Sequence, residues 1–227
     1  MFKKILLLAF LLVSLQARAV LDSDNKKVEV PDVIERATPL IGAFVQVSAM
    51  LGNEDHIISG APKLPPLMSK IFPNIKSNNN KSGMLSSSVE TIIASKTQVV
   101  FGPVGMMFDE NSKAQLESAG IVVVKIDKFQ SIKELQDSFS KIAEIWGEKS
   151  VKRAREFNEY FNDNVKFVGQ KTANLTPKKR VLVLNYNSGN FSTISSKDIG
   201  AEYISVAGGI NLSSELSNGC LLYTSDA

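Results

Sequence analysis

Cysteine and histidine are almost missing from this chain. Cys220 and His56 are the only ones in 227 residues. Disulfide frameworks need paired cysteines, and zinc hydrolysis or Ser-His-Asp catalysis draws on several histidines, cysteines and carboxylates. Enzymes of those kinds are disfavoured before any motif is read. An excess of one charge is lacking too. The 26 Lys and Arg against 23 Asp and Glu give +3. Setting aside Lys3, Lys4, Arg18 and Asp226, which lie in the end segments discussed below, 23 cations face 22 anions and the net charge is +1. That balance gives no reason to expect nucleic acid or an anionic membrane surface as a partner.

Long apolar runs are also missing. Ile5 to Leu15 is interrupted only by Ser14 and is far shorter than the roughly 20 residues that span a bilayer. Its surroundings complete a different pattern. MFKKILLLAFLLVSLQARA has basic Lys3 and Lys4, then the apolar run, then Ala17-Arg18-Ala19 with small residues at −3 and −1. That is the three-part signature of a secretory leader, cut before Val20. No cysteine stands near the cut, so a lipid anchor is not expected.

What is present is alternation. Val28 to Val30 predicts a short exposed strand ended by Pro31. Arg36 to Gly52 predicts a strand, with Pro39 at an edge or irregular position, and then a helix on Phe44, Val47, Ser48 and Leu51. His56 to Gly60 predicts the next strand. Ala61 to Asn80 reads as a proline- and asparagine-rich loop with one short helix near Leu67 to Ile71. Ser88 to Ser95 predicts a helix, Thr97 to Phe101 a buried strand, and Asp109 the cap of a helix ended by Gly120. Ile121 to Ile126 predicts another strand. Ser131 and Glu134 form a capping box that opens a helix to about Trp146. Strand and helix in turn make a mostly parallel α/β layer.

From Lys149 to about Ala173 the pattern becomes one long helix with a stripe of Ala154, Phe157, Phe161, Val165 and Val168. Val181 to Tyr186 then predicts a new buried strand, followed by a polar loop, a short helix near Glu202 to Val206 and a Gly208-Gly209 turn. A second α/β unit begins there.

In this order and spacing the chain resembles the periplasmic binding proteins of bacterial ABC importers for iron-siderophore, haem, cobalamin and related ligands. Four stretches carry the resemblance. Arg36 to Gly52 with Asp55 to Gly60 resembles the family's opening strand, site loop and helix. Ser88-Val89-Glu90 to Phe101 resembles its Asn-Leu-Glu helix and following strand, although Lys96-Thr97-Gln98 lacks the usual Pro-Asp pair. Gly120 to Ile126 resembles its Gly-Ile-Pro-Val-Val strand, and Ala207 to Asn211 its Ala-Gly-Gly-Val-Asn turn. The resemblance runs from about Val28 to Gly219. It implies two Rossmann-like α/β lobes joined by a long backbone helix, the chelatase-like or class III arrangement, with the second lobe incomplete. The expected organisation is a leader at 1–19, a first lobe at 20–130, a helical linker at 131–175 and the start of a second lobe at 176–219.

The last eight residues, Cys220 to Ala227, read CLLYTSDA. They translate TGTCTCTTATACACATCTGACGCT, the end of a common transposon-based library adapter, and 220–227 is therefore expected to be a non-native tail.

The resemblance implies a solute-binding protein, not an enzyme, with no cofactor, acting as a monomer with no nucleic acid. Its partners would be a chelated-iron or related small molecule and an inner-membrane permease. It implies that Glu90 pairs with permease arginines; a helix-start acid serving the helix dipole is the plainer reading. The expected ligand cleft is lined by loops after strands: Gly42, Ala43 and Phe44; Lys63; Gly102, Met106 and Met107; and Tyr186 and Asn187. Lys63 would meet an anionic chelate, Tyr186 would ligate iron or haem or stack on a ligand, and the two methionines would contact an apolar ligand. For each of these, ordinary loop or core packing competes. His56 is read as a strand-start residue rather than a metal ligand. The ligand stays open between iron-siderophore, cobalamin, haem and a molybdate-like oxyanion. A periplasmic enzyme on a similar two-lobed fold, or a sensor domain with a membrane segment downstream, are the other classes.

Overall fold

The computed structural model describes residues 17–58, 66–75, 88–187, 190–214 and 221–222. The chain divides into two compact units. One comprises 1–127 with 141–151, and the other 128–140 with 152–227.

The first unit is built on three parallel strands: β3 (Ala37–Pro39), β4 (Val99–Gly102) and β5 (Val122–Lys125), in the order β3-β4-β5. Val99, Val100 and Phe101 are wholly buried, as expected for a strand covered on both faces. β3 also makes a single parallel bridge from Ala37 to Ile57. Of the expected strand His56 to Gly60, His56 instead ends a 3-10 turn at Glu54–His56, Ile57 makes that bridge, and Ser59 and Gly60 lie outside the described residues. Pro39 is the last residue of β3, an outer strand in this order, in keeping with the edge position expected for it, and its side chain is buried. Here its missing N–H costs little, because Leu40 N takes over the ladder and donates to Phe101 O at 2.9 Å.

Helices flank this sheet. α1 (Gly42–Met50) buries Phe44, Val45, Val47, Ser48 and Ala49, more than a stripe, so it is a core helix. α2 (Pro66–Ile71) packs Met68 against Val45, Ala49 and Ile57. α3 (Val89–Ala94) and α4 (Glu110–Ser118) bury Val89, Ile92 and Leu116 with Leu40, Val100, Met107 and Phe108. Asp109 caps α4, accepting from Ser112 N at 2.8 Å. A hairpin of β1 (Ala17–Leu21) and β2 (Lys27–Pro31) precedes the sheet. Val30 is fully buried, which corrects the expectation of an exposed strand.

α5 (Ile132–Trp146) and α6 (Glu148–Thr172) follow. At 25 residues, α6 is roughly 37 Å long at 1.5 Å per residue. Within the second unit, Phe139 stacks on Phe157 with centroids 4.0 Å apart, and Gln136 Nε2 donates to Asn162 Oδ1 at 3.0 Å. The box at the start of α5 closes one residue wider than expected. Ser131 Oγ accepts from Glu134 N, while Glu134 Oε2 takes the amide of Gln130.

The remainder of the second unit differs from the sequence reading. Val181 to Tyr186 is not one buried strand. β6 (Arg180–Val181) pairs in parallel with β9 (Ile210–Asn211), and β7 (Leu184–Asn187) forms an antiparallel hairpin with β8 (Asn190–Thr193). Leu182, Leu184 and Tyr186 are about half exposed or more. A buried parallel strand needs neighbours on both edges, and among the described residues β6 has β9 alone. α7 (Ile199–Val206) is capped by Asp198 and ends at Gly208-Gly209. A Cβ on Gly208 would stand 2.9 Å from Thr172 Cβ, and one on Gly209 2.9 Å from Ile204 Cγ2, so both positions need glycine. β10 (Leu221–Leu222), inside the expected tail, pairs with β8.

Candidate functional site

In an open parallel sheet the loops that leave the carboxyl ends of the strands are free to differ, because the strands themselves carry the core. In the first unit these ends are Pro39, Gly102 and Lys125. Three chain segments meet there.

Leu40 to Ala43 leaves β3 and enters α1. Ile41 gives the helix no side-chain cap, and its first turn carries no acid. The leading amides of a helix have no intrahelical partner, and Gly42 and Ala43 are half-exposed. This uncapped end can receive an anionic oxygen. Phe44 is fully buried. It faces the core, so its expected place in a ligand cleft is corrected to a packing role.

Gly102 to Phe108 leaves β4. A Cβ on Gly102 would stand 2.6 Å from Leu40 Cβ, so glycine lets the two strand ends close up. Pro103 O accepts from both Met106 N and Met107 N at 3.1 Å, and Gly105 N donates to Phe108 O at 3.0 Å. These bonds fold the loop on itself and part its two methionines. Met107 is buried among Leu40, Val100 and Leu116, which corrects its expected ligand contact; Met106 is 53% exposed. A thioether on a self-supported loop is an adaptable apolar contact.

Lys125 closes β5, and the sequence reading passed over it. Its Nζ donates to Asp24 Oδ1 at 2.7 Å, and Asp127 lies 3.8 Å away. Ser23 N donates to Lys125 O, and Ser23 Oγ accepts from Asp127 N. The turn between β1 and β2 is thereby tied to the carboxyl end of β5. A hydrogen bond from Lys125 holds the Asp24 carboxyl below the ordinary range, and the same bond raises the Lys125 amine. Between this turn and α4 lies a groove of about 750 Å³, lined by Asp24, Lys26, Val104, Gly105, Lys113 and Lys125. The signal for it was a lysine ending an all-valine strand.

Glu90 stands exposed in the first turn of α3. Ser88 caps that helix by accepting from Thr91 N at 3.3 Å. Arg36 closes the other end, donating Nε to Ser95 O at 3.1 Å and to Lys96 O at 3.2 Å. A hydrogen bond from the Ser88 side chain, then one from its own amide, keeps the Glu90 carboxyl below the usual carboxylate range. A short helix fixed at both ends thus presents one ionised carboxylate.

In the second unit, Tyr186 is 68% exposed with its ring 5.0 Å from Phe191, and Asn187 ends β7 opposite Asn190. Lys63, Ser188 and Gly189 lie outside the described residues, as do Met1 to Gln16, Asn78 to Asn80, Cys220 and 223–227. His56 packs its ring 6.3 Å from Trp146. Among the described residues no three His, Cys, Asp or Glu side chains are grouped to hold a metal ion. No described helix is long and apolar enough to cross a membrane.

Comparison with known proteins decides the family. The model described as "Periplasmic binding protein" matches residues 60–220, well over half the chain. The chain belongs to the periplasmic binding protein family. Solved structures carry the same fold. A periplasmic solute binding protein from Veillonella parvula superposes with a TM-score of 0.75 at 18% identity, over 92% of this chain and 64% of that one. The periplasmic haem binding protein HutB of Vibrio cholerae gives 0.66 at 18%, over 83% and 70%. The siderophore binding protein BauB, bound to two acinetobactin molecules and ferric iron, gives 0.65 at 16%, over 90% and 71%. This family member thus has the class III periplasmic binding protein fold, with the long helix and a partial second lobe, and spans 64% of the Veillonella protein. No curated protein matches it.

Proposed function

We propose that the chain is the solute-binding component of an ABC importer, which captures an iron-siderophore or related metal chelate and hands it to an inner-membrane permease. Haem, cobalamin and a molybdate-like oxyanion are the alternatives of the same role. The observation that carries the reading is the carboxyl edge of the first-unit sheet in a periplasmic binding protein. There an uncapped helix start, at Gly42 and Ala43, and a self-supported loop, at Gly102 and Met106, stand on a rigid core. Sites on rigid scaffolds with variable loops suit selective capture. The haem and ferric-siderophore ligands of HutB and BauB favour an iron chelate.

The same reading assigns Lys63, Tyr186 and Asn187 to the ligand side and Glu90 to permease docking. It makes residues 1–19 an export leader, the working form a periplasmic monomer without catalytic activity, and 220–227 an adapter-derived tail. The leader pattern in MFKKILLLAFLLVSLQARA supports export.

The test is calorimetric titration with ferric siderophores of catecholate and hydroxamate type, hemin, cobalamin and molybdate. It uses the product of the source reading frame sequenced across the Gly219 codon. Saturable binding of one of these with no turnover supports the proposal. A continued frame that binds none of them, or a source frame that truly encodes CLLYTSDA and a stop, overturns it.

A further inference from the structure

We propose that the mature protein begins at Arg18, the leader being cut between Ala17 and Arg18 rather than before Val20. The proposal rests on the export reading above and moves the end of that leader from Ala19 to Ala17.

The sequence offers two registers with a small residue at −1. Ala19 at −1 puts Ala17 at −3, and Ala17 at −1 puts Leu15 there. Small residues at both positions favour the first. The fold favours the second. Arg18 donates its guanidinium to the carbonyl oxygens of Glu144 and Ile145 in the last turn of α5. Those are two of the carbonyls that a helix end leaves without an intrahelical partner, and a cation there also meets the negative end of the helix dipole. Gly147, at φ +104°, turns the chain just beyond, and a Cβ on it would lie 3.6 Å from the Arg18 guanidinium. The backbone is used too. Ala17, Arg18 and Ala19 pair with Pro31, Val30 and Glu29, three of the five rungs of the hairpin.

A cut before Val20 discards all of this. It also places the new charged amino terminus directly on Val20, whose side chain is buried in the hairpin. An ionised group in such a place is costly unless paired. A cut before Arg18 puts the new amino group on a half-exposed residue at the open end of the hairpin and keeps the helix cap. The leader protease acts on the unfolded chain, so these contacts do not steer it. They identify the residues that the folded protein uses.

The test is to export the 227-residue chain with its own leader in a bacterium that has a periplasm, and to read the amino terminus by intact mass and sequencing. A start at Arg18 is expected. A start at Val20 overturns the proposal and leaves the export reading standing; a chain that stays unprocessed overturns both. Two variants test it independently. Ala19→Asp changes an exposed side chain. It leaves processing intact if Ala19 is at +2 and blocks it if Ala19 is at −1. Arg18→Ala lowers the Tm of the processed protein by about 2–4 °C if the cap is present, on the scale of about 1 kcal/mol for a chain of this size. An unchanged Tm overturns the proposal by removing its ground, because a residue kept for its helix cap has to be felt in the stability of the mature protein.

Discussion

The indole Nε1 of Trp146 donates to the Ser48 hydroxyl at 3.1 Å, and that hydroxyl donates in turn to Phe44 O at 2.8 Å. The bond ties the end of α5 to the middle of α1. Trp146 also meets Phe101 edge-on, with centroids 6.1 Å apart. Ser48 is fully buried, so Ser48→Ala leaves the indole N–H with no replacement from the α1 side. The expected loss is about 1–2 kcal/mol, the cost of an unsatisfied donor on a partly buried ring. Trp146 is the only tryptophan, so the emission reports the surroundings of this one ring, the Ser48 bond among them. Ser48→Ala should shift the emission maximum and lower the denaturation midpoint together; an unchanged midpoint would show that the bond is not made.

Gly102 gives a sharper prediction. In Gly102→Ala the new Cβ has to displace Leu40 Cβ, 2.6 Å away, in a backbone with φ at +155°. Overpacking of this kind costs about 1–3 kcal/mol. Leu40→Ala keeps the offending Cβ, so the double variant should be less stable than either single one. Chemical denaturation of the three variants checks this, and recovery in the double variant would contradict it.

The pair of Asp24 and Lys125 carries a pH dependence. Asp24 titrates below its unfolded value, so its contribution is complete above the ordinary carboxylate range and is lost as pH falls through the folded value. Lys125 titrates above its unfolded value, so its share is present below the ordinary lysine range and is lost as pH rises through the folded value. The turn at Ser23 to Lys26 should therefore be best held between those limits and loosen beyond either one. Carboxyl-carbon NMR titration of Asp24 measures the shift, and Lys125→Met should raise it toward the ordinary value. No change on removing the amine would rule out the bond as its cause.

Those signals legible in the sequence were local ones. Asp109 as a cap, Gly120 as a stop and the 25-residue span of α6 depend on neighbours within a turn, and the structure has all three. Valine runs at 99–100 and 122–124 likewise gave β4 and β5. What depended on distant chain was misread. Val181 to Tyr186 has the composition of a buried strand, but burial requires partners that local sequence cannot supply. In the described part of His56 to Gly60, His56 lies in a 3-10 turn rather than a strand, while Ile57 bridges to Ala37 and Ile58 N reaches Ala37 O as a strand would. In the candidate site the segments at Gly42 and Gly102 do follow β3 and β4. Tyr186 and Asn187, however, lie within β7 rather than in a loop after a strand, Lys63 lies outside the described residues, and side-chain direction was not readable. Phe44 and Met107 turn inward while Met106, one residue away, turns out. The carbonyls taken by Arg18 and Arg36 lie 126 and 59 residues away, beyond the reach of any periodicity.

Glu90 separates capture from delivery. Its carboxylate is exposed, is held below the ordinary carboxylate range by its Ser88 hydrogen bond, and is mounted on a helix held at both ends. An exposed charge contributes little to folding, so Glu90→Gln should leave the Tm within about 1 °C. If the carboxylate meets arginines of a permease, losing it slows association and weakens docking, and the effect fades as salt rises. Glu90→Arg should be worse than Glu90→Gln because it adds like-charge repulsion. Ligand titration should be unchanged in both variants while uptake by a reconstituted permease falls, about tenfold or more for the arginine. Uptake unaffected by either variant would remove Glu90 from docking and leave it as the first-turn acid of α3. A loss of ligand binding would instead put it on the ligand side.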